Sequence, residues 1–207
     1  MELPSWTSSR SFRCHWIHNH VSDRAGVKTF PLLVKILDAQ DKLSLQVHPP
    51  PAKAKELGGE PKSEMWYFAE TTPEADIFAG LKRGVTRDEF ERKTGDGTVA
   101  ECFHHLVVKP GDVMFLPSGR VHALGAGSVL FEIQQNSDTT YRVFDWNRVG
   151  LDGKPRDLHI PQSLASIDFN DFEPALARGG IIPAAVRFGA AFSGCSQDER
   201  SWQTPPA

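Results

Sequence analysis

The chain is short of cysteine, of net charge and of long apolar runs, and each shortage excludes something. Its 3 cysteines in 207 residues, Cys14, Cys102 and Cys195, are odd in number, far apart and free of C-x-x-C spacing. Neither a disulfide framework nor a thiolate zinc site is expected from them. Lysine and arginine number 23 against 26 aspartates and glutamates, a formal net charge of −3. No broad basic field is therefore available for nucleic acid or for an anionic membrane surface. The most apolar stretch, Phe30 to Leu37, has Lys35 inside it and falls far short of the roughly 20 residues that span a bilayer. The first residues (MELPSWTSSRSFRCHW) are polar and broken by Pro4, unlike the basic start and apolar run of a secretory signal. The expectation is a cytoplasmic protein with no nucleic-acid partner and no membrane partner. What the chain does have is 40% hydrophobic residues with 13 Phe and 5 Trp, enough apolar surface for a sizeable core.

The texture changes along the chain. Residues 1–29 show neither a two-residue nor a helical repeat, and a poorly organised N-terminal segment is expected there. From 30 onward short runs rich in Val, Ile, Leu, Phe and Tyr (PLLVKILDA, KLSLQVH, SEMWYFAE, ADIFAGL) alternate with Pro, Gly and Asp, which reads as strands. Thr86 followed by Glu89 opens a capping box for one short helix reaching about Lys93. Strand texture resumes over HLVVKPGDVMFLPSGRVHALGAGSVLFEIQQ, with turns at PGD, PSG and GAG. Many closely spaced short strands predict a closed or double-sheet β fold. A second short helix is expected near Leu164–Ile167. The reading divides the chain into a segment 1–29, a main β domain 30–168, and a C-terminal arm or tail 169–207.

Side chains two apart on a strand share a face, so K-L-S-L-Q-V-H places Ser44, Gln46 and His48 on one side and Leu43, Leu45 and Val47 on the other. In P-K-S-E-M-W-Y, Lys62 and Glu64 share a face that Trp66 continues. A third stretch, Gly111 to His122, fits G-x5-P-x-G-x2-H: a strand closed by a Pro/Gly turn that delivers His122 to the next strand. Either histidine alone reads as a core or turn residue. Two imidazoles and a carboxylate from three strands instead suit a divalent metal with open positions, catalytic zinc or non-haem iron, with Gln46 offering an amide oxygen. Glu132 lies in the apolar run VLFEIQ, where an unpaired carboxylate is costly to bury. A structural salt bridge, with Arg142 as one candidate partner, or a catalytic role is required.

The stretch 111–122 resembles the second cupin signature. The first appears in modified form, with Gln46-x-His48 and with Glu64 set back by a long insert, as in type I mannose-6-phosphate isomerases. FPLLVKILDAQDKLSLQVHP, PKSEMWY, GLKRGVT and FEIQQNSDTTYRVFDWNR resemble the bacterial members from about Phe30 to Ile167. The resemblance implies a mainly β, cupin-type jelly-roll barrel with one or two short helices inserted. It implies one Zn2+ per chain on Gln46, His48, Glu64 and His122. It also implies Arg142, Glu132 and Lys62 as catalytic residues, with Ser44, Lys62 and Arg142 at the substrate; for its phosphate the sequence offers Lys62, Arg142, Lys35 and Arg148 without ranking them.

The implied activity is interconversion of mannose 6-phosphate and fructose 6-phosphate by proton transfer through a cis-enediol intermediate. A metal and a guanidinium stabilise the developing oxygen charge, and a carboxylate carries the proton. The expected partner is a small-molecule sugar phosphate. Residues 1–29 do not match the family's N-terminal strands, and its second cupin-like domain is missing or replaced after about 170, so a homodimer covering an exposed edge is a further expectation. Competing readings are a non-catalytic sugar-phosphate-binding cupin and an iron-dependent cupin oxygenase.

Overall fold

The computed structural model describes residues 31–149 and 153–177 in full and residues 12–16 along the backbone. In chain order the elements are β1 (Phe12–Trp16), β2 (Leu32–Ala39), β3 (Leu45–Val47), α1 (Pro51–Ala54), β4 (Glu64–Thr71), β5 (Asp76–Leu81), α2 (Arg87–Asp96), a 3-10 turn (Val99–Cys102), β6 (Phe103–Val107), β7 (Val113–Leu116), β8 (His122–Leu124), β9 (Ser128–Gln135), β10 (Tyr141–Phe144) and α3 (Ile160–Ser166). The strands form two five-stranded sheets, β1-β2-β9-β4-β7 and β10-β3-β8-β5-β6, whose strand pairings are antiparallel. This is the double-sheet β architecture that the strand pattern predicts and the mainly β jelly roll that the resemblance implies. No helix of the described residues is long and apolar enough to cross a membrane.

The sheets close on each other through one apolar cluster. Trp66, Phe68, Met114 and Leu130 from the first sheet meet Ile77, Ala79 and Leu124 from the second. A second cluster lies on the other face of the second sheet, where Leu45, Val47 and Val143 pack with Phe90 of α2, and with Ile167 just after α3. The second sheet is thus buried on both faces, which is why DIFAGL reads as a nearly continuous apolar run rather than an alternation. Each such side chain contributes about 1.5–3 kcal/mol when fully buried.

The helix expected after Thr86 is α2. The Thr86 hydroxyl accepts from the Glu89 N–H at 3.2 Å, and Gly97, at φ 78°, closes the far end. It runs past Lys93 because Gly97, not Gly95, takes the left-handed cap. Only half of the capping box forms: the Glu89 carboxylate lies 3.2 Å from Lys93 Nζ instead. α1 falls inside the long insert, where the run of prolines hides it; Pro51 at its first turn costs no hydrogen bond. α3 begins earlier than expected, at Ile160.

In the N-terminal segment expected to be poorly organised, β1 pairs with β2 from Phe12↔Ala39 to Trp16↔Lys35; the rest of residues 1–29 lies outside the described residues. Of the C-terminal arm, residues 169–177 are described and 178–207 are not. With Asp168 they form a strap. Asp168 N–H donates to Gly119 O at 2.9 Å, Leu81 N–H to Asp171 O at 2.9 Å, and Ala177 exchanges both backbone bonds with Val113.

Candidate metal centre

The register brings chemistry-bearing residues from distant stretches onto one inner face. Arg142 pairs with Gln46, Gln46 with His122, and His122 with Ala79, which lies in the inter-sheet cluster. From the facing sheet, Glu64 pairs with Gln134, while Glu132 lies between Lys35 and Trp66. His48 directly follows β3. His48, Glu64 and His122 are 1%, 2% and 1% exposed, and one donor atom from each lies within 4.8 Å of the other two.

Both imidazoles are locked in one tautomer. His48 Nδ1 is 2.9 Å from Thr139 O, and His122 Nδ1 is 2.9 Å from Arg120 O. A carbonyl only accepts, so each Nδ1 carries a proton, and in the neutral ring each Nε2 presents a lone pair. Those lone pairs face the carboxylate: His48 Nε2 lies 3.1 Å from Glu64 Oε1, and His122 Nε2 lies 3.5 Å from Glu64 Oε2. His48 Nε2 and Glu64 Oε2 are buried with no hydrogen-bond partner. Three electron-pair donors facing each other in a dry interior repel unless a cation sits among them. Nδ1 donated to a backbone carbonyl is also the outer support that metal-bound histidines use. The donor set therefore fits a divalent metal.

The electrostatics agree. Burial alone raises a carboxyl pKa, but positive charge at His48, with its hydrogen bond, and then at His122 and Lys62 outweighs it and holds Glu64 well below the usual carboxylate range; with the imidazoles neutral, a bound cation takes that place. Burial, then the neighbouring His48, pushes His122 down to about 4, so it is neutral at pH 7. Lys62, itself buried, places Nζ 3.3 Å from Glu64 Oε1 and 3.4 Å from Thr140 Oγ1. Gln46 Nε2 lies 3.2 Å from His122 Nε2, so the amide reaches the same point.

Glu132 adjoins this centre and is fully engaged. Lys35 Nζ is 2.8 Å from Oε1, and the Trp66 indole donates to Oε2 at 2.9 Å. The partner suggested by sequence was Arg142; it is Lys35, a register neighbour 97 residues away. Trp66 presents its edge to His122, with ring centroids 5.5 Å apart. Arg142 instead donates from Nη1 to Asp157 O at 2.7 Å, and its Nε is buried without a partner. Arg148 is tied to Asp145 at 2.6 Å and to Lys42 O.

Ser44 is buried just ahead of β3, outside the strand itself. Leu43 packs on the inter-sheet cluster while Leu45 and Val47 pack on the outer one, so the chain slips by one residue before the strand begins. The carbonyls of Thr139 and Arg120 carry no signature in sequence, and reasoning from side chains does not find them. A cavity of about 260 Å³ lined by Asp38, Glu70, Thr72 and Ser128 lies at the opposite end of β4 from Glu64.

The family described as phosphomannose isomerase type I, catalytic domain, matches residues 11–77, so the match reaches into the segment 1–29 that was expected to fall outside it. Mannose-6-phosphate isomerase ManA of Bacillus subtilis is 41% identical over 153 residues, covering 73% of this chain and 48% of that protein. Mannose-6-phosphate isomerase of Streptococcus mutans is 41% identical over 148 residues, covering 71% and 46%. The crystal structure of a mannose 6-phosphate isomerase from Bacillus subtilis superposes with a TM-score of 0.66 at 34% identity, covering 72% of this chain and 49% of that one. The chain spans about half the length of these relatives. Over the residues it shares with them, it belongs to the type I phosphomannose isomerase family.

Proposed function

We propose that the protein is a zinc-dependent isomerase interconverting mannose 6-phosphate and fructose 6-phosphate. The observation that carries the reading is the convergence of two imidazole nitrogens and the Glu64 carboxylate in a buried site, on a chain similar to proteins of that name. His48, Glu64 and His122 would hold the zinc. Gln46 joins them once its terminal amide is turned to present oxygen instead of nitrogen, two assignments that differ only by a flip. When bound, zinc supplies Lewis acidity toward the sugar's carbonyl oxygen.

The reaction moves a proton between C2 and C1 of the open-chain sugar through a cis-enediol. Glu132 is the proposed proton carrier: its carboxylate is held in one orientation by Lys35 and Trp66, so it meets either carbon without reorganising. Arg142, anchored on Asp157 O with Nε unpartnered, aims its remaining donors at oxygen charge as it develops. Lys62 adds a buried positive charge beside Glu64. The unreactive phosphate supplies binding energy and orientation.

The test is a coupled assay for fructose 6-phosphate formed from mannose 6-phosphate, with metal analysis of the same sample. Chelation abolishes turnover, and His48→Ala lowers it at least about a thousandfold, the loss of several kcal/mol of charge stabilisation. Undiminished turnover in His48→Ala rules out this centre. Bound iron with oxygen uptake selects an oxygenase, since two histidines and one carboxylate also suit non-haem iron. Sugar-phosphate binding without turnover removes the catalytic claim.

A further inference from the structure

We infer that Asp171 and Arg120, neither of them a metal donor, position the donor set by locking the turn on which all three donor side chains are mounted. The inference rests on the metal reading of His48, Glu64 and His122.

The turn Pro117–Arg120, closed by Arg120 N–H to Pro117 O at 3.0 Å, reaches each donor through a separate bond. Gly119 N–H donates to His48 O at 2.9 Å. Ser118 N–H donates to the hydroxyl of Ser63, the neighbour of Glu64, at 3.1 Å. Arg120 O accepts the His122 Nδ1 proton at 2.9 Å. Three donors from chain stretches up to 74 residues apart thus share one four-residue support.

A short turn does not hold such a position by itself, and this one is clamped from outside. The Arg120 guanidinium forms a two-pronged fork on Asp171, Nε to Oδ2 and Nη2 to Oδ1, both at 2.7 Å, and its third nitrogen donates to Phe115 O at 2.6 Å. The pair is 15% and 16% exposed, dry enough for geometry to outweigh screening. Asp171 belongs to the strap, whose Asp168 N–H binds Gly119 O at 2.9 Å. Gly119 stands at φ +91°, and a Cβ there would lie 3.3 Å from Ser166 O at the end of α3 and 3.6 Å from Cβ of Asp168 in the strap. The strap therefore presses directly on the turn. If the fork opens, the Arg120 carbonyl loses its fixed direction, the His122 tautomer is no longer enforced, and the lone pair on Nε2 is no longer aimed.

The experiment titrates Co2+ into the metal-free full chain, reads its visible absorption band, and measures affinity by competition with a chelator. Asp171→Asn weakens Co2+ binding about 10- to 100-fold, the usual scale for removing an outer support of a metal ligand, and changes the band's shape. Asp171→Glu, which keeps the carboxylate, recovers much of the affinity. Thr86→Ala, which costs stability at the start of a distant helix, leaves affinity and band unchanged. Folded Asp171→Asn protein with wild-type affinity and band would falsify the inference and leave the fork a stability element only. Should Asp171→Asn not fold, Arg120→Lys, which keeps the charge and loses the fork, is read by the same criteria. A wild-type chain that binds no Co2+ removes the metal centre itself, and the inference with it.

Discussion

Glu64 and Glu132 are both buried acids in one barrel, and their neighbours set them apart. Glu132 has a partner on each oxygen, Lys35 and the Trp66 indole. Glu64 has His48 and Lys62 at one oxygen and no hydrogen bond at the other. A saturated carboxylate is fixed in place; a half-satisfied one beside two lone pairs calls for a cation. Trp66→Phe tests the first statement, because it keeps an aromatic ring and deletes the N–H. Stranding a buried oxygen costs about 1–3 kcal/mol, and the urea midpoint of metal-free protein should fall accordingly. An unchanged midpoint would show that Oε2 does not depend on the indole. At this scale the sequence carried the individual donors: strand alternation singles out Gln46 and His48, the Pro/Gly turn delivers His122, and Lys62 shares a face with Glu64. It did not carry their contacts. The Lys35–Glu132 pair follows from a register between strands 97 residues apart, which no local period encodes.

Among the elements, strands and α2 were legible because period and caps are local properties. Alternation is a property of the strand itself, and β3 starts at Leu45, one residue after Ser44. The segment after β10 was the least legible, since its order comes from one buried acid. Asp145, 5% exposed, receives Arg148 Nη2 at 2.6 Å and Arg156 Nε at 2.7 Å. The same segment supplies Asp157 O to Arg142, and the His159 ring nitrogen to the Arg142 N–H at 3.1 Å. Burial raises the Asp145 carboxyl, but the hydrogen bonds of Arg156 and then Arg148 outweigh it and hold the acid below its ordinary 3.8. A depressed carboxyl contributes stability above its unfolded pKa and loses it as pH falls through the folded one. Asp145→Asn should therefore cost about 1–2 kcal/mol at neutral pH, discounted because both arginines are a third to a half exposed. The gap to wild type should persist down to about pH 4 and narrow below it. Urea unfolding at several pH values measures it, and a gap that widens on acidification contradicts the assignment.

For the whole molecule, the donors bridge the two sheets. Glu64 belongs to β4 in one sheet, while His122 in β8 and His48 after β3 belong to the other. A cation held there adds a link between layers that also meet through the apolar cluster and through the strap, which bonds Leu81 in one sheet and Val113 in the other. Because the unfolded chain separates these residues, the metal binds the native state far better, and its binding free energy becomes folding free energy. At free zinc about 100 times its dissociation constant the gain is about 2.7 kcal/mol. For a chain of this length, at about 2–4 °C per kcal/mol, the melting temperature should rise by about 5–10 °C. Removing zinc with a chelator should reverse the shift, and His48→Ala should show almost none. The strap adds a second requirement: if the turn at Gly119 is the common support, Asp171→Asn melts lower without metal and also gains less from added zinc than wild type does. A mutant that melts lower yet gains the full zinc increment would separate the strap from the metal centre and leave the strap a stability element only.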